Sequence, residues 1–206
     1  VECRALLALA KMRLLNYGIH YRDKEIMKYY LDTEFAETGK NISPTIDLIS
    51  IGIVAEDGRE YYAESSEFQV SNCNQWVVDN VLPLLGPVGE RKTRNTIRDE
   101  ITAFVGGDIL AEFWAYYADY DWVAFCWLWG GMTDLPKGFP MLCMDLQQAW
   151  IQCGRPEIKP PDPTDEHNAL ADARWNEQLF RAIHTYTCVT KGYTVSNGEA
   201  KPQQER

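Results

Sequence analysis

The stretch YYLDTEF, residues 29–35, carries an apolar run into Asp32 and Glu34 with only Thr33 between them. It reads as a buried strand over residues 28–33, and along a strand alternate side chains share one face. Asp32 and Glu34 therefore sit side by side where that strand is expected to end. Like charges so close in a partly dry site repel enough to keep one carboxyl protonated, and a divalent cation between them removes that penalty. A lone D-x-E is also common at solvated strand ends. The pair gains meaning only if other acids fall in register with it.

Downstream, a loop is expected from Ala36 to Pro44, followed by TIDLISIGIVAEDGREYYAES (residues 45–65) as two strands joined by the Asp57-Gly58 turn. NQWVVDNVLPLL (74–85) reads as helix interrupted at Pro83, and TRNTIRDEITAFV (93–105) repeats apolar residues at Ile97, Ile101, Phe104 and Val105 until Gly106-Gly107 stops it. EFWAYYA (112–118) has strand character, DWVAFCWLWG (121–130) reads as a buried helix, and a further helix spans about residues 145–153. RPEIKPPDPTDE (155–166) is a Pro-rich loop, and a last helix starts near Asn168 and runs to about Thr187. A hairpin built on the first strand and then alternating helices and strands make an α/β domain with a mixed sheet. Sites in such sheets form at the carboxyl ends of strands.

Two further groups of residues join the first pair of acids. Asp121 stands where EFWAYYA gives way to a helix, a position that also suits an N-cap, and Asp119 is its rival two residues earlier. In HNALADA (167–173), His167 and Asp172 would diverge around one helix axis, since five positions turn at about 100° each. With Asn168 as the N-cap, His167 lies just outside the helix and Asp172 in its first turn, where the macrodipole favours an anion, so both can face one cavity. Taken singly, each has an ordinary role as a loop residue or a first-turn acid. Together, Asp32, Glu34, Asp121 and Asp172 form an all-oxygen ligand set that calls for Mg²⁺ or Mn²⁺ rather than zinc. Four carboxylates suit two ions about 3.5–4 Å apart, able to activate water and steady the leaving oxygen of a phosphodiester. His167 suits the general base.

These residues resemble the DEDDh 3′-5′ exonucleases of the DnaQ-like, RNase-H-like superfamily, whose three motifs are matched by DTE (32–34), ADYD (118–121) and HNALAD (167–172). DTEF followed by TIDLISIGIV, then YADYDWVAFCWLWG, DLQQA (145–149) and HNALADARWN, resembles more narrowly the small mycobacterial-type 3′-5′ exoribonucleases, over most of residues 28–185. The resemblance implies an RNase-H-like fold, a central five-stranded mixed sheet flanked by helices. It implies that Asp32 bridges two ions, that Glu34 and Asp172 complete one site and Asp121 the other, and that His167 is the base. Thr33 and Phe35 would meet the terminal nucleotide through backbone contacts and stacking. The substrate implied is the 3′ end of single-stranded or overhanging RNA, with DNA as the alternative, hydrolysed to nucleoside 5′-monophosphates. Tyr117 departs from the polymerase-proofreading relatives, which often carry Asn at that place.

The bulk composition agrees with one soluble domain. The chain has 206 residues, 46% of them hydrophobic, and no apolar run of the roughly 20 residues that a membrane helix needs. Its six cysteines (Cys3, Cys73, Cys126, Cys143, Cys153, Cys188) are scattered and read as reduced thiols, which with the lack of a signal peptide implies a cytoplasmic home. A formal net charge of −10 argues against a protein that coats long nucleic acid, while leaving room for an enzyme that meets one chain end through bound cations. Residues 1–26 are expected to be a dispensable extension ahead of a natural start at Met27, residues 27–188 the exonuclease domain, and residues 189–206 a polar, frayed tail. Oligomeric state, monomer or homodimer, is not written in these residues.

Smaller features carry structural expectations. Trp114, Trp122, Trp127 and Trp129 are spaced for core packing. Arg91, Lys92, Arg94 and Arg98 read as a solvated helix face, and Arg174 as a candidate phosphate contact. Two rival functions remain on the table. A catalytically silent module that binds nucleic-acid ends would not need a full set of four acids and a histidine, and a glycosidase with paired carboxylates would not need His167 five residues ahead of Asp172.

Overall fold

The computed structural model describes residues 26–38, 45–106, 110–164, 166–190, 193–196 and 199–202. Its centre is a five-stranded sheet. β1 (Ile26–Thr38), β2 (Thr45–Ala55) and β3 (Glu60–Glu64) form an antiparallel meander, and β4 (Leu110–Ala115) and β5 (Cys143–Asp145) add in parallel on the other side of β1. The order β3-β2-β1-β4-β5 puts β1 at the middle of a mixed sheet. The Asp57-Gly58 turn closes the hairpin as expected, with Gly58 at φ 87° where only glycine sits without strain.

Helices cover both faces. α1 (Gln75–Asn80) and α2 (Arg94–Val105) lie between β3 and β4, capped by Asn74 and Thr93 respectively. α3 (Asp119–Trp127) follows β4, α4 (Leu146–Gln152) follows β5 directly, and α5 (Ala169–Thr190) is the long final helix. The main core packs Tyr29, Leu31, Ile51, Ile53 and Phe113 of the sheet against Ile97, Ile101 and Val105 of α2 and Trp122 and Phe125 of α3. Opposite, Tyr30 and Val54 meet Ala173 of α5. Successive strand residues face opposite layers. Tyr29, Leu31 and Thr33 thus look toward α3, whereas Tyr30, Asp32 and Glu34 look toward α5.

Several expectations shift in detail. β1 does not end at Thr33 but continues to Thr38, because β2 keeps pairing with it through a bulge after Glu34, where Phe35 pairs with Leu48 and Ile49 is skipped. β4 ends at Ala115 instead of running to Ala118, as Tyr117 adopts φ 57° and turns the chain into α3. The three-residue β5 was hidden at the start of a helix reading. Trp122 and Trp129 belong to the core, but Trp127 is 47% exposed on the outer side of α3. α5 runs to Thr190, and within the expected frayed tail Tyr193–Ser196 (β6) pairs antiparallel with Glu199–Pro202 (β7). The β-branched Thr194 and Val195 before Asn197-Gly198 were a hairpin signal in plain view.

The reading of residues 1–25 as an extension, and of Cys3 as a reduced thiol, lies outside the described residues. The five other cysteines carry free thiols. Among the described residues no helix is long and apolar enough to cross a membrane.

Candidate active site

β4 pairs with β1 only as far as Tyr30 opposite Trp114, after which α3 leads the chain away. β1 runs on with one side uncovered by a strand. Asp32 and Glu34 project just beyond that point, at the carboxyl end of the parallel pair, where open α/β sheets form crevices.

α5 closes the crevice on the face to which these acids point. Its approach depends on Gly52, the register partner of Asp32 on β2: a Cβ there would lie 2.2 Å from the Ala169 carbonyl oxygen. About two turns along α5, the buried Asn176 donates its Nδ2 to the Leu31 carbonyl (2.9 Å), which fixes the helix against the residue preceding Asp32. Asn168 caps α5 as the sequence predicts, its Oδ1 accepting from Leu170 N (3.1 Å) and Ala171 N (3.2 Å). His167 stands just before the helix at φ 73°, and its backbone N–H donates to Asp172 Oδ2 (2.9 Å). Ligand atoms of Glu34, His167 and Asp172 lie within 4.8 Å of one another.

Asp121 enters from the other face. It occupies the first turn of α3 and not the N-cap expected of it, since the helix begins at Asp119 and its capping residue is Ala118. Asp121 is buried and Asp119 exposed, which separates the two rivals. Thr33 holds Asp121 Oδ1 with its backbone N–H (2.9 Å) and its hydroxyl (2.6 Å). Thr33 is itself buried, and both of its donors serve Asp121. Phe35 stacks on the half-exposed Tyr120, ring centroids 5.6 Å apart at 11°.

The charge state follows from this crowding. Burial, then the charges of Asp121, Glu34 and Asp172, hold the Asp32 carboxyl well above its ordinary value. Burial, then Asp172 and Asp121, push Glu34 up to about 8. Burial raises Asp121 to about 6 against the hydrogen bonds from Thr33, with Asp145 adding to the rise. Arg174 makes a bidentate pair with Glu60, and Arg91, Lys92, Arg94 and Arg98 pair with Glu64, Glu100, Asp47 and Asp99. Crowded carboxylates with oxygen donors fit a hard divalent cation, whose charge would bring each of them back to the ionised form.

Two residues at the site escaped the sequence reading. Asp145 accepts from Ala118 N (2.8 Å) and so anchors the turn that delivers Asp121; its place at a strand-to-helix junction, in DLQQA, was the available clue. Trp76 of α1 meets the His167 ring edge to face, centroids 4.7 Å apart at 75°. No periodicity could have paired residues so distant in the chain.

The family model of the 3'-5' exoribonuclease Rv2179c-like domain matches residues 27–184. The chain belongs to this family. It is 46% identical over 161 residues to the 3'-5' exoribonuclease Rv2179c of Mycobacterium tuberculosis (strain ATCC 25618 / H37Rv), a match covering 76% of this chain and 93% of that protein. The same figures hold for the 3'-5' exoribonuclease MT2234.1 of Mycobacterium tuberculosis (strain CDC 1551 / Oshkosh). Among solved structures, one described as "3'-end specific recognition of histone mRNA stem-loop by 3'-exonuclease" is 9% identical, with a TM-score of 0.49 over 98% of this chain and 78% of that one. The Rv2179c-like match runs from the second residue of β1 through the other four strands of the central sheet and includes every one of the acids and the histidine that meet in the crevice.

Proposed function

We propose that this chain is a 3′-5′ exoribonuclease that hydrolyses phosphodiester bonds from the 3′ end of single-stranded or overhanging RNA, using two Mg²⁺ or Mn²⁺ ions. One observation carries the reading. Four carboxylates and a histidine from three separate stretches of chain crowd one crevice closely enough to raise the pKa values of Asp32, Glu34 and Asp121, inside a family named for this activity. Asp32, Glu34, Asp121 and Asp172 are the residues to hold the ions. Bound there, divalent cations supply Lewis-acid activation of water and stabilise charge on the leaving oxygen.

The chain's own groups do the rest. Asp121 is kept in place and partly ionised by Thr33, while Asp172 fixes the backbone of His167. The His167 imidazole, beside Glu34 and Asp172, is the group to take a proton from the attacking water. Phe35, backed by Tyr120, offers a flat ring for the terminal base. A cytoplasmic location and action on RNA in preference to DNA belong to the same proposal, the latter resting on family membership. A 5′-labelled RNA oligonucleotide incubated with Mn²⁺ should give a descending ladder that excess EDTA abolishes. Immediate release of labelled mononucleotide, cutting of a circular strand, or full turnover in EDTA would each refute the assignment.

A further inference from the structure

Trp76 has no part in the ligand set, yet it is the aromatic neighbour of the histidine. It projects from α1, a short helix held in place from below. Val77 of α1 and Val81 just after it pack with Ala36, Ile49 and Phe68 in a small core of their own, and Asn74 Oδ1 accepts from Val77 N (2.9 Å). Ala36 lies two residues beyond Glu34 on β1, on the same strand face by alternation. The strand that carries the acids thus also sets the height of the helix that carries Trp76. Trp76 itself does not join this core and remains 52% exposed. Its ring contact is with His167.

His167 needs such a neighbour. Its backbone is fixed by the bond to Asp172 and by the left-handed conformation at φ 73°, but neither restrains rotation of the imidazole about its side-chain bonds. Ligand atoms of Glu34, His167 and Asp172 lie within 4.8 Å of one another, so a small rotation decides whether the imidazole leans onto the carboxylates or stands over the place of the attacking water. An edge-to-face ring contact has a preferred geometry and fixes such a rotation.

We propose that Trp76 is a positioning residue for the His167 imidazole, holding it in the orientation a general base requires. The role rests on the exonuclease reading above, in which His167 is the base. Trp76 is exposed enough to meet substrate as well, and a nucleotide-platform role is the alternative that the test separates.

Kinetics on a single-stranded RNA oligonucleotide in Mn²⁺ would compare wild type with Trp76→Ala, Trp76→Leu, Trp76→Phe, His167→Ala and the Trp76→Ala/His167→Ala double variant. Trp76→Ala should lower kcat by about 10- to 100-fold, the range for a displaced reacting group, with KM changed less than about twofold. Trp76→Phe, which keeps a ring, should recover most of the loss, and Trp76→Leu should not; Trp76→Leu also stands in if Trp76→Ala fails to fold. In the His167→Ala background the Trp76→Ala change should cost less than about twofold, because residues acting through one another are not additive. An equal loss in that background, or a loss confined to KM, overturns the proposal, and the second outcome makes Trp76 an RNA contact. Diethyl pyrocarbonate modification, followed on the His167 peptide by mass spectrometry, is independent of turnover. His167 should react faster in Trp76→Ala than in wild type or Trp76→Phe, with His184 unchanged; equal rates at His167 overturn the proposal. If wild type degrades no RNA, the exonuclease reading falls while the modification rates still decide whether Trp76 restrains the ring.

Discussion

Thr33 illustrates how an uncharged side chain governs an acid. Asp121 lies in a buried place that favours its neutral form, and the two donors of Thr33 pull it back toward the carboxylate. Thr33→Val preserves the shape and removes the shorter of the two bonds. Protons then compete better for Asp121, and Mn²⁺ affinity should fall about 10- to 100-fold, as with other residues that orient a metal ligand. Calorimetric Mn²⁺ titration reads this directly; unchanged affinity would mean that the backbone N–H suffices. The same titration separates the acids from the base. Asp32→Asn should abolish tight binding, whereas His167→Ala should retain it and lower kcat by about 10²–10⁴. A His167→Ala protein that no longer binds Mn²⁺ would show that the imidazole is a ligand.

At the scale of elements, the site depends on how closely α5 approaches β2. Gly52 permits that approach through the absence of a side chain, and the same helix start carries His167, Asn168 and Asp172. Gly52→Ala places a methyl within 2.5 Å of Leu170 N as well as against the Ala169 carbonyl, so backbone must move rather than a side chain. The expected cost is about 1–3 kcal/mol of stability from overpacking. Activity should fall further than the melting temperature implies, since the displaced segment is the one that holds the base. An active variant with a wild-type melting curve would show that the helix shifts without harm.

Asp32 paired with Gly52 was not readable from the sequence, whereas the elements themselves largely were. The β2–β3 hairpin carried its Asp-Gly turn, α2 its apolar period and α5 its Asn168 cap, all local signals. The extension of β1 beyond Thr33 depends on β2 continuing to pair with it, and the end of β4 on the left-handed Tyr117, both tertiary outcomes. β5 is too short to show a period. At the site, the acids and His167 could be chosen because their spacing in three motifs is chemical. Trp76 and the Thr33–Asp121 bond arise only when distant segments meet.

For the molecule as a whole, the acid cluster links stability to pH and to metal. A carboxyl raised on folding binds its proton more tightly in the native state than in the unfolded chain, so native stability falls as pH rises through the interval between the two values. For Glu34 that interval runs from its ordinary 4.5 to about 8, and for Asp121 from 3.8 to about 6. Metal-free protein should therefore melt at progressively lower temperature from about pH 5 to about pH 8, the stabilisation being complete below the ordinary values and lost above the raised ones. A formal net charge of −10 acts in the same direction through general self-repulsion, so the slope alone does not identify the cluster. Glu34→Gln does. It removes a carboxyl that folding raises to about 8 and changes net charge by one, and it should flatten the slope in EDTA far more than an exposed acid such as Asp119 changed to Asn. Saturating Mg²⁺ binds the ionised cluster in preference to its protonated form, so it should raise the melting temperature most at pH 8 and weaken or reverse the slope. Differential scanning calorimetry of wild type, Glu34→Gln and Asp119→Asn across this range, with EDTA or Mg²⁺, checks each part. A wild-type melting temperature that is flat in EDTA would mean that the carboxylates are not strained in the metal-free fold, and an equal Mg²⁺ effect at pH 5 and pH 8 would mean that the cation binds elsewhere.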